Sequence, residues 1–570
     1  MNLETLRHSA SHLLAHAIKE LYPKVKLGIG PAIENGFYYD FDNLKITEED
    51  LKKIESKMHQ IAEEDLKIKK ITKTKAEAKK LLKNEKYKLE LLEELETKPT
   101  FYQQGDFIDL CKGPHVKSTK ELKNFKLQKI AGAYWRGNEK NKMLTRIYGT
   151  IFPKKEELKE YLHMLVEAEK RDHNKLGKEL DLFMFSETVG KGLPLLTPKG
   201  ATLKTIIRRF IEDEETKRGY LHTITPIIAK SDLYKISGHY DHYKESMFII
   251  KEGKMELALR PMTCPHQFML YKRKLWSYKE LPVRYAEIAE LFRKEQTGEL
   301  HGLIRIWQFT LADAHIICAP EQLEKEFKEV LKLVQYILKT LGLKDFWYRF
   351  SKGDPKKKGK YIDNPKAWKE SQATLKKILN NLKLKYEEAE DEAAFYGPKL
   401  DVQMKNVYGK EDTIITLQID FALPERFDLE YTDKKGNRTR PMIIHRSSVG
   451  CLERTIAILI EHYAGKFPLW LSPIQVKIVT VTDKNLKFAK EIEKQLRKSE
   501  IRTELDTRSE SIGRKVRDAI KERVPYVITM GEKEQKNKTL AIRSRDNKVR
   551  FSVKPEKFIK ELLKEIKDKC

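Results

Sequence analysis

Residues 285–318, YAEIAELFRKEQTGELHGLIRIWQFTLADAHIIC, read as a strand, a charged turn and a returning strand. That hairpin commits the middle of the chain to a sheet whose two faces differ. Arg293 and Glu295 alternate with apolar neighbours and Arg305 sits on the returning run, so two guanidinium groups and a carboxylate can converge on one sheet face. Such a set suits a nucleotide phosphate. For an isolated Arg-x-Glu, surface salt bridges are the competing reading.

The chain around this hairpin has 570 residues, too many for one ordinary core, so three or four domains are expected. Residues 1–150 begin with a helix, pass through the turn and strand of GIGPAIENGFYYDFD and a charged helical stretch at 48–97, and end in AGAYWRGNEKNKMLTRIYGTIF, an α+β domain. Residues 151–181 form a charged amphipathic helical linker. Residues 182–472 hold antiparallel-looking strand pairs and a long final helix near GCLERTIAILIEHYA. After the prolines of FPLWLSPIQVKIVTVTD, residues 473–570 alternate strands and helices as a small α/β domain with a mixed sheet. The fold class is therefore multidomain α+β.

A net charge of +27 points to a polyanionic partner, although heavy lysine use can also be a compositional bias. Residues 474–570 carry 27 Lys/Arg against 16 Asp/Glu, which makes this part the better electrostatic candidate. The cysteines at 111, 264, 318, 451 and 570 are few, odd in number and scattered, which argues for a reducing cytoplasm. No signal peptide or membrane-spanning apolar run is evident, so no membrane partner is expected.

In LRHSASHLLAHAIKELYP, residues 6–23, the apolar residues share one helical stripe, and His8, His12 and His16 lie on roughly the opposite side. That side is expected to lie away from the helix's own core. A His-x-x-x-His pair can serve a metal site, a hydrolytic site or a solvated face, and the helix alone leaves all three open.

Other stretches decide the matter by resemblance. GYLHTITPIIAKSDLYKISGHYDHYKESMF with Pro226, the hairpin with Arg293, and GCLERTIAILIEH with Arg454 resemble the three motifs of class II aminoacyl-tRNA synthetases. RPMTCPH, LHGLIRIWQFTLADAHI, AFYGPKLDVQ, LQIDFALPERF, PMIIHRSSVGCLER and GRKVRDAIKERVPYVITMGEKE are similar to the threonyl-tRNA synthetase family, in its order, over essentially the whole chain. The resemblance implies an antiparallel class II catalytic sheet flanked by helices at 182–472, an editing domain at 1–150 and an anticodon-binding domain at 473–570. It implies a cytoplasmic homodimer acting on ATP with Mg2+, L-threonine and tRNA(Thr).

By the same resemblance Arg293 would hold the ATP α-phosphate, Glu295 the adenine amino group and Arg454 the γ-phosphate, with Arg305 beside them. Cys264, His315 and His445 match the family's zinc ligands. Their spacing fits no local finger pattern, and alone reads as ordinary buried residues. Asp313, Tyr396 and Gln418 match positions around threonine, and Lys399 is a second basic candidate there. Leu311 and Ala312 stand where the family commonly shows Gln-Asp.

Zinc selection leaves serine as a substrate, because it keeps the amino and hydroxyl groups and lacks only a methyl, worth roughly 1 to 3 kcal/mol. GDFIDLCKGPHV supplies Cys111 and His115, which with His8 and His12 complete the family's HxxxH…CxxxH editing motifs, and Lys88 and Asp109 match further residues of that pocket. The same set binds zinc in related alanyl-type editing proteins, so a metal there stays an alternative. His16 matches no motif and is expected on the helix surface. Glu534 and Arg543 match anticodon-contacting positions, and Ser509 replaces an asparagine often found at a third. The extra small domain that many bacterial members carry before the editing domain has no counterpart, so a short form is expected. A synthetase-like regulator without catalysis is the competing class, disfavoured by Arg293, Glu295, Arg454 and the three zinc-ligand matches occurring together.

Overall fold

The computed structural model describes residues 2–354, 357 and 359–569, so Cys570 lies outside the described residues. Two compact units divide the chain, Met1–Val166 and Glu167–Cys570.

The first unit opens with helix Leu3–Leu21, capped by the Asn2 side chain, which accepts the Glu4 amide at 2.9 Å. Its apolar stripe, including Leu6, Ala10, Leu13, Leu14, Ala17 and Ile18, is fully buried against strand Gly36–Asp42 and helix Asp50–Glu63. A fully buried Leu or Ile side chain contributes about 1.5–3 kcal/mol, so this stripe fixes the helix in place. The sheet behind it runs in the order Lys26–Leu27, Gly36–Asp42, Met143–Ile151, Phe125–Tyr134.

Two expectations need correction here. The stretch 48–97 is not continuously helical: Ile68–Thr72 is a strand, paired antiparallel with Thr100–Gln104, which pairs in turn with Phe107–Leu110. Cross-strand pairing at Lys70↔Tyr102 overrides a charged composition that reads as helix. His16 is not on the surface. It is 6% exposed, stacks on Phe107 at 5.1 Å, accepts from Gln104 at 3.2 Å through Nδ1 and pairs with Glu20 at 3.0 Å through Nε2. Gln104 and Phe107, on the second sheet, lie against the histidine side of the helix and bury it as well.

The second unit is built on an eight-stranded sheet in the order Leu221–His222, Val283–Phe292, Gln308–Cys318, Met442–Cys451, Glu411–Asp420, Lys399–Lys405, Phe346–Ser351, Tyr386–Ala389. Only the two edge pairings are parallel. Alternation along Gln308–Cys318 sends Ala312, Ala314, Ile316 and Cys318 into a core with helices Pro198–Lys217, Leu323–Thr340 and Leu452–His462. Asp313, His315 and Ile317 therefore point to the opposite face, where Ile317 packs in a separate core with Cys264, Phe268 and Tyr396. A C-terminal sheet follows in the order Thr503–Asp506, Val476–Thr480, Tyr526–Met530, Leu540–Ser544, Val549–Val553. Its first three strands are parallel and its last two pairings antiparallel. The last strand, mostly exposed and with Phe551 71% accessible, lacks the buried alternation by which a sequence betrays a strand.

Candidate active sites

On the face of the large sheet opposite helices Pro198–Lys217, Leu323–Thr340 and Leu452–His462, register does the assembling. Tyr285 pairs with His315, His315 with His445, His445 with Gln418 and Gln418 with Lys399, so residues from five strands form one row. Cys264 reaches this row as the first residue of helix Cys264–Tyr271. The ligating atoms of Cys264, His315 and His445 all lie within 4.8 Å of one another, and the three residues are buried.

Each histidine has its second nitrogen occupied. His315 Nδ1 meets Gln267 Oε1 at 2.5 Å, and Gln267 is itself held by donating to Thr223 at 2.8 Å. His445 Nε2 meets Asp420 Oδ2 at 2.8 Å, while Asp420 Oδ1 accepts the Ala422 and Leu423 amides. A carboxylate or amide oxygen only accepts, so the proton sits on the bonded nitrogen and the other, His315 Nε2 or His445 Nδ1, keeps its lone pair for the cluster. Burial pushes the Cys264 thiol well up and the His315 imidazole well down in basicity. One thiol sulfur and two imidazole lone pairs, converging and buried, are the donor set that suits a borderline-soft cation.

Around the row, Asp313 is buried, and burial raises its carboxyl to about 6. The Tyr396 hydroxyl donates to Gln418 Oε1, and its ring lies 4.9 Å from that of His445. Lys399 is tied to Asp401 at 2.8 Å. His239 was not singled out from the sequence. It is buried, hydrogen-bonded to Ser237 Oγ at 2.8 Å, with its ring 6.1 Å from Tyr396. Its signal is the preceding Gly238, whose φ of +83° lies in the left-handed region that favours glycine.

The hairpin residues differ from the reading in one respect. The strand ends at Phe292, so Arg293 and Glu295 lie just beyond it and Arg305 lies in the loop before the next strand. A bend replaces strict alternation because the Arg293 amide bonds Trp307 O at 2.8 Å and the Glu295 amide folds back onto Arg293 O. The charges still meet: Arg305 Nε donates to Glu295 at 3.1 Å. Arg293 donates to Pro261 O and stacks over Phe309. Arg454, on helix Leu452–His462, donates to Ile304 O at 3.2 Å and Thr413 O at 2.9 Å. Leu311 lies on the strand face that carries Asp313, and Ala312 in the helix-side core.

In the first unit, His8, His12, Cys111 and His115 bring one ligating atom each within 4.8 Å of one another. Cys111 Sγ lies 3.2 Å from both His8 Nε2 and His115 Nε2. Ser9 Oγ donates to Thr5 O and accepts the Val116 amide, so His115 Nδ1, at 3.1 Å, is the donor to it. Beneath the cluster Asp109 is buried between Lys88 at 2.7 Å and the Tyr39 hydroxyl at 2.5 Å, with His12 Nε2 at 3.8 Å. Tyr39 also escaped the sequence reading, since in YYDFD nothing marks one tyrosine as buried. Burial lowers the basicity of His8 and His12 and takes His115 to about 2, while Cys111 rises to about 11. All three imidazoles are therefore neutral near pH 7.

At the C-terminal sheet Glu534 accepts the Gly531 amide at 3.0 Å, Arg543 is half-buried on Leu540–Ser544, and Ser509 is exposed.

Three domain families match this chain. Residues 243–463 match the tRNA synthetase class II core domain (G, H, P, S and T), 475–565 the anticodon binding domain, and 100–148 the threonyl and alanyl tRNA synthetase second additional domain. A class II core followed by an anticodon-binding domain makes this a class II aminoacyl-tRNA synthetase. The threonine–tRNA ligase of Clostridium botulinum is 55% identical over 99% of this chain and 89% of its own length. That of Clostridium perfringens is 54% identical over 98% of this chain and 88% of its own. A crystal structure of the RNA binding domain of threonyl-tRNA synthetase from Cryptosporidium parvum matches with a TM-score of 0.65 at 34% identity, over 69% of this chain and 98% of that one. The chain belongs to the threonine–tRNA ligase family.

Proposed function

We propose that this ligase activates L-threonine with Mg·ATP, transfers it to tRNA(Thr) and hydrolyses seryl-tRNA(Thr). The observation that carries the reading is the row His315–His445–Gln418–Lys399 with Cys264 over it, next to the Arg293–Glu295–Arg305 loop. As the threonine carboxylate attacks the α-phosphorus, charge develops on phosphate oxygens and on departing pyrophosphate. Arg293 and Arg305 face the former and Arg454 the latter; positioning and electrostatics do the work, with no protein nucleophile. Glu295 accepts from the adenine amino group. Asp313, Tyr396 and Gln418 line the amino-acid site, and Lys399 adds positive charge beside it.

Cys264, His315 and His445 would hold zinc, and their donor set fits it. When bound, zinc supplies a Lewis-acid centre for the amino and hydroxyl groups of threonine. Valine lacks the hydroxyl and is rejected; serine is not, and needs removal. In the first unit, the neutral imidazole of His12 would orient water against the seryl ester and pass on its proton, with Asp109, held by Lys88 and the Tyr39 hydroxyl, 3.8 Å away, and with His8, Cys111 and His115 lining the same pocket. The four-residue cluster also favours a second reading, a metal at the editing site. Zinc content separates the two: one ion per chain supports the metal-free pocket and two support the alternative.

No helix among the described residues is long and apolar enough to cross a membrane, and the reading places the enzyme in the cytoplasm. A homodimer through the segment beginning at Leu221 is supported by exposed apolar residues there: Ile224 at 98%, with Leu221, Ile227 and Ile228. Glu534, Arg543 and Ser509 would meet anticodon bases, and the basic surface of 474–570 the phosphates. The test is threonylation of a tRNA(Thr) transcript. The zinc-loaded enzyme charges it and Cys264→Ser does not; full charging by Cys264→Ser overturns the assigned zinc role.

A further inference from the structure

We propose that His173 is a positioning residue for the ATP-binding loop: an imidazole that hangs the 301–305 turn, and through it Arg305, on the helix that carries Arg454. The proposal rests on the ATP reading of Arg293, Glu295 and Arg305.

His173 begins helix His173–Glu179 in a stretch that reads as a connector, yet it is fully buried. Its Nδ1 lies 2.7 Å from Glu461 Oε1, a buried carboxylate on Leu452–His462. Its Nε2 accepts the Leu303 amide at 3.3 Å. A carboxylate accepts and a backbone amide donates, so the two partners select the tautomer with the proton on Nδ1. The loop comes in close: Gly302, at φ +47°, would place a Cβ 2.0 Å from His173 Nε2.

From that contact the chain is tied to the site in two steps. His301 and Arg305 exchange backbone hydrogen bonds at 3.1 and 3.2 Å, closing a turn whose tip rests on His173. Arg305 then reaches Glu295 at 3.1 Å, and the Ile304 carbonyl within the turn accepts from Arg454. Letting go of Leu303 therefore frees Arg305 without removing any group that touches ATP. The Asp172, His173 and Glu461 atoms are close enough to hold a cation. Their commitments argue against one: both ring nitrogens are used, and Asp172 caps the helix and accepts from Tyr408.

The test separates the two ring nitrogens. His173→Gln keeps an acceptor near Nε2; His173→Asn keeps a donor near Nδ1 and loses that acceptor. Threonine-dependent ATP–pyrophosphate exchange gives KM for ATP and for threonine, and amide exchange over 297–307 reports the loop independently of activity. For His173→Asn the expectation is a KM for ATP raised about 10-fold, a KM for threonine within about 2-fold, and faster amide exchange at 303. His173→Gln, which keeps the acceptor for Leu303 but loses the tie to Glu461, raises the KM for ATP by less than His173→Asn does and leaves amide exchange at 303 closer to the parent. Should His173→Asn fold poorly, Glu461→Gln, which keeps an acceptor for Nδ1, and Glu461→Leu, which does not, make the same comparison. Equal behaviour of the Asn and Gln variants, in KM and in amide exchange, overturns the proposal. A parent without exchange activity would instead refute the ATP reading, and the amide-exchange comparison would still decide the role of His173 as the loop's anchor.

Discussion

Asp420→Asn is the sharpest perturbation of the proposed zinc cluster, because it changes one atom and replaces none of the three ligands. In the parent, Asp420 Oδ2 accepts from His445 Nε2 at 2.8 Å and Oδ1 accepts two amides at 2.8 and 2.9 Å. An asparagine cannot serve both sides. With its oxygen on the amides, its NH2 faces His445, which must move its proton to Nδ1 and lose the lone pair meant for the cluster. With its oxygen on His445, the NH2 faces two amide donors in a fully buried position. Either way a hydrogen bond to a charged group is lost, worth about 1.5–3 kcal/mol, or about 10- to 100-fold in zinc affinity. Competition with a chromogenic chelator at fixed pH measures the affinity directly. Wild-type zinc affinity in Asp420→Asn would refute the claim that Asp420 sets the His445 tautomer.

Other expectations follow from the same geometry. His12→Ala should raise accumulated seryl-tRNA while leaving threonine activation within about 2-fold, since its unit is distinct from the synthetic one; equal seryl-tRNA hydrolysis by mutant and parent would count against it. His8, His12 and His115 have folded-state basicity depressed by burial, so the unfolded chain takes up protons near pH 6.5 that the folded one refuses. Stability of the first unit is thus complete above pH 6.5 and falls below it. After discounting the partly exposed His8 and His115, the loss is about 2 to 4 kcal/mol between pH 7.5 and 5. Amide exchange in Leu3–Leu21, corrected for intrinsic rates, measures it, and pH-independent protection would contradict it. Ile224→Asp should shift sedimentation from dimer toward monomer; an unchanged sedimentation coefficient would argue against that face as the interface.

The fold was legible where alternation or a stripe faces a core. Gln308–Cys318 displays its two faces in sequence, and Leu3–Leu21 displays its apolar side. It was illegible where another element supplies the burial: His16 looks solvated until Gln104 and Phe107 cover it, and Ile68–Thr72 looks helical until Thr100–Gln104 pairs with it. Cys264, His315 and His445 came from family resemblance, because strand register rather than spacing along the chain brings them together. Gln267, Asp420 and Tyr39 were missed for a related reason. They act by orienting another side chain, and nothing local in a sequence distinguishes a glutamine that holds an imidazole from one that faces water.

The central claim is that the sheet-face site activates threonine through its hydroxyl as well as its amino group. ATP–pyrophosphate exchange on zinc-loaded enzyme, run with threonine, serine and valine, tests it most directly. The account predicts exchange with threonine, weaker exchange with serine and none above background with valine. No threonine-dependent exchange, or valine exchanging as well as threonine, would contradict it.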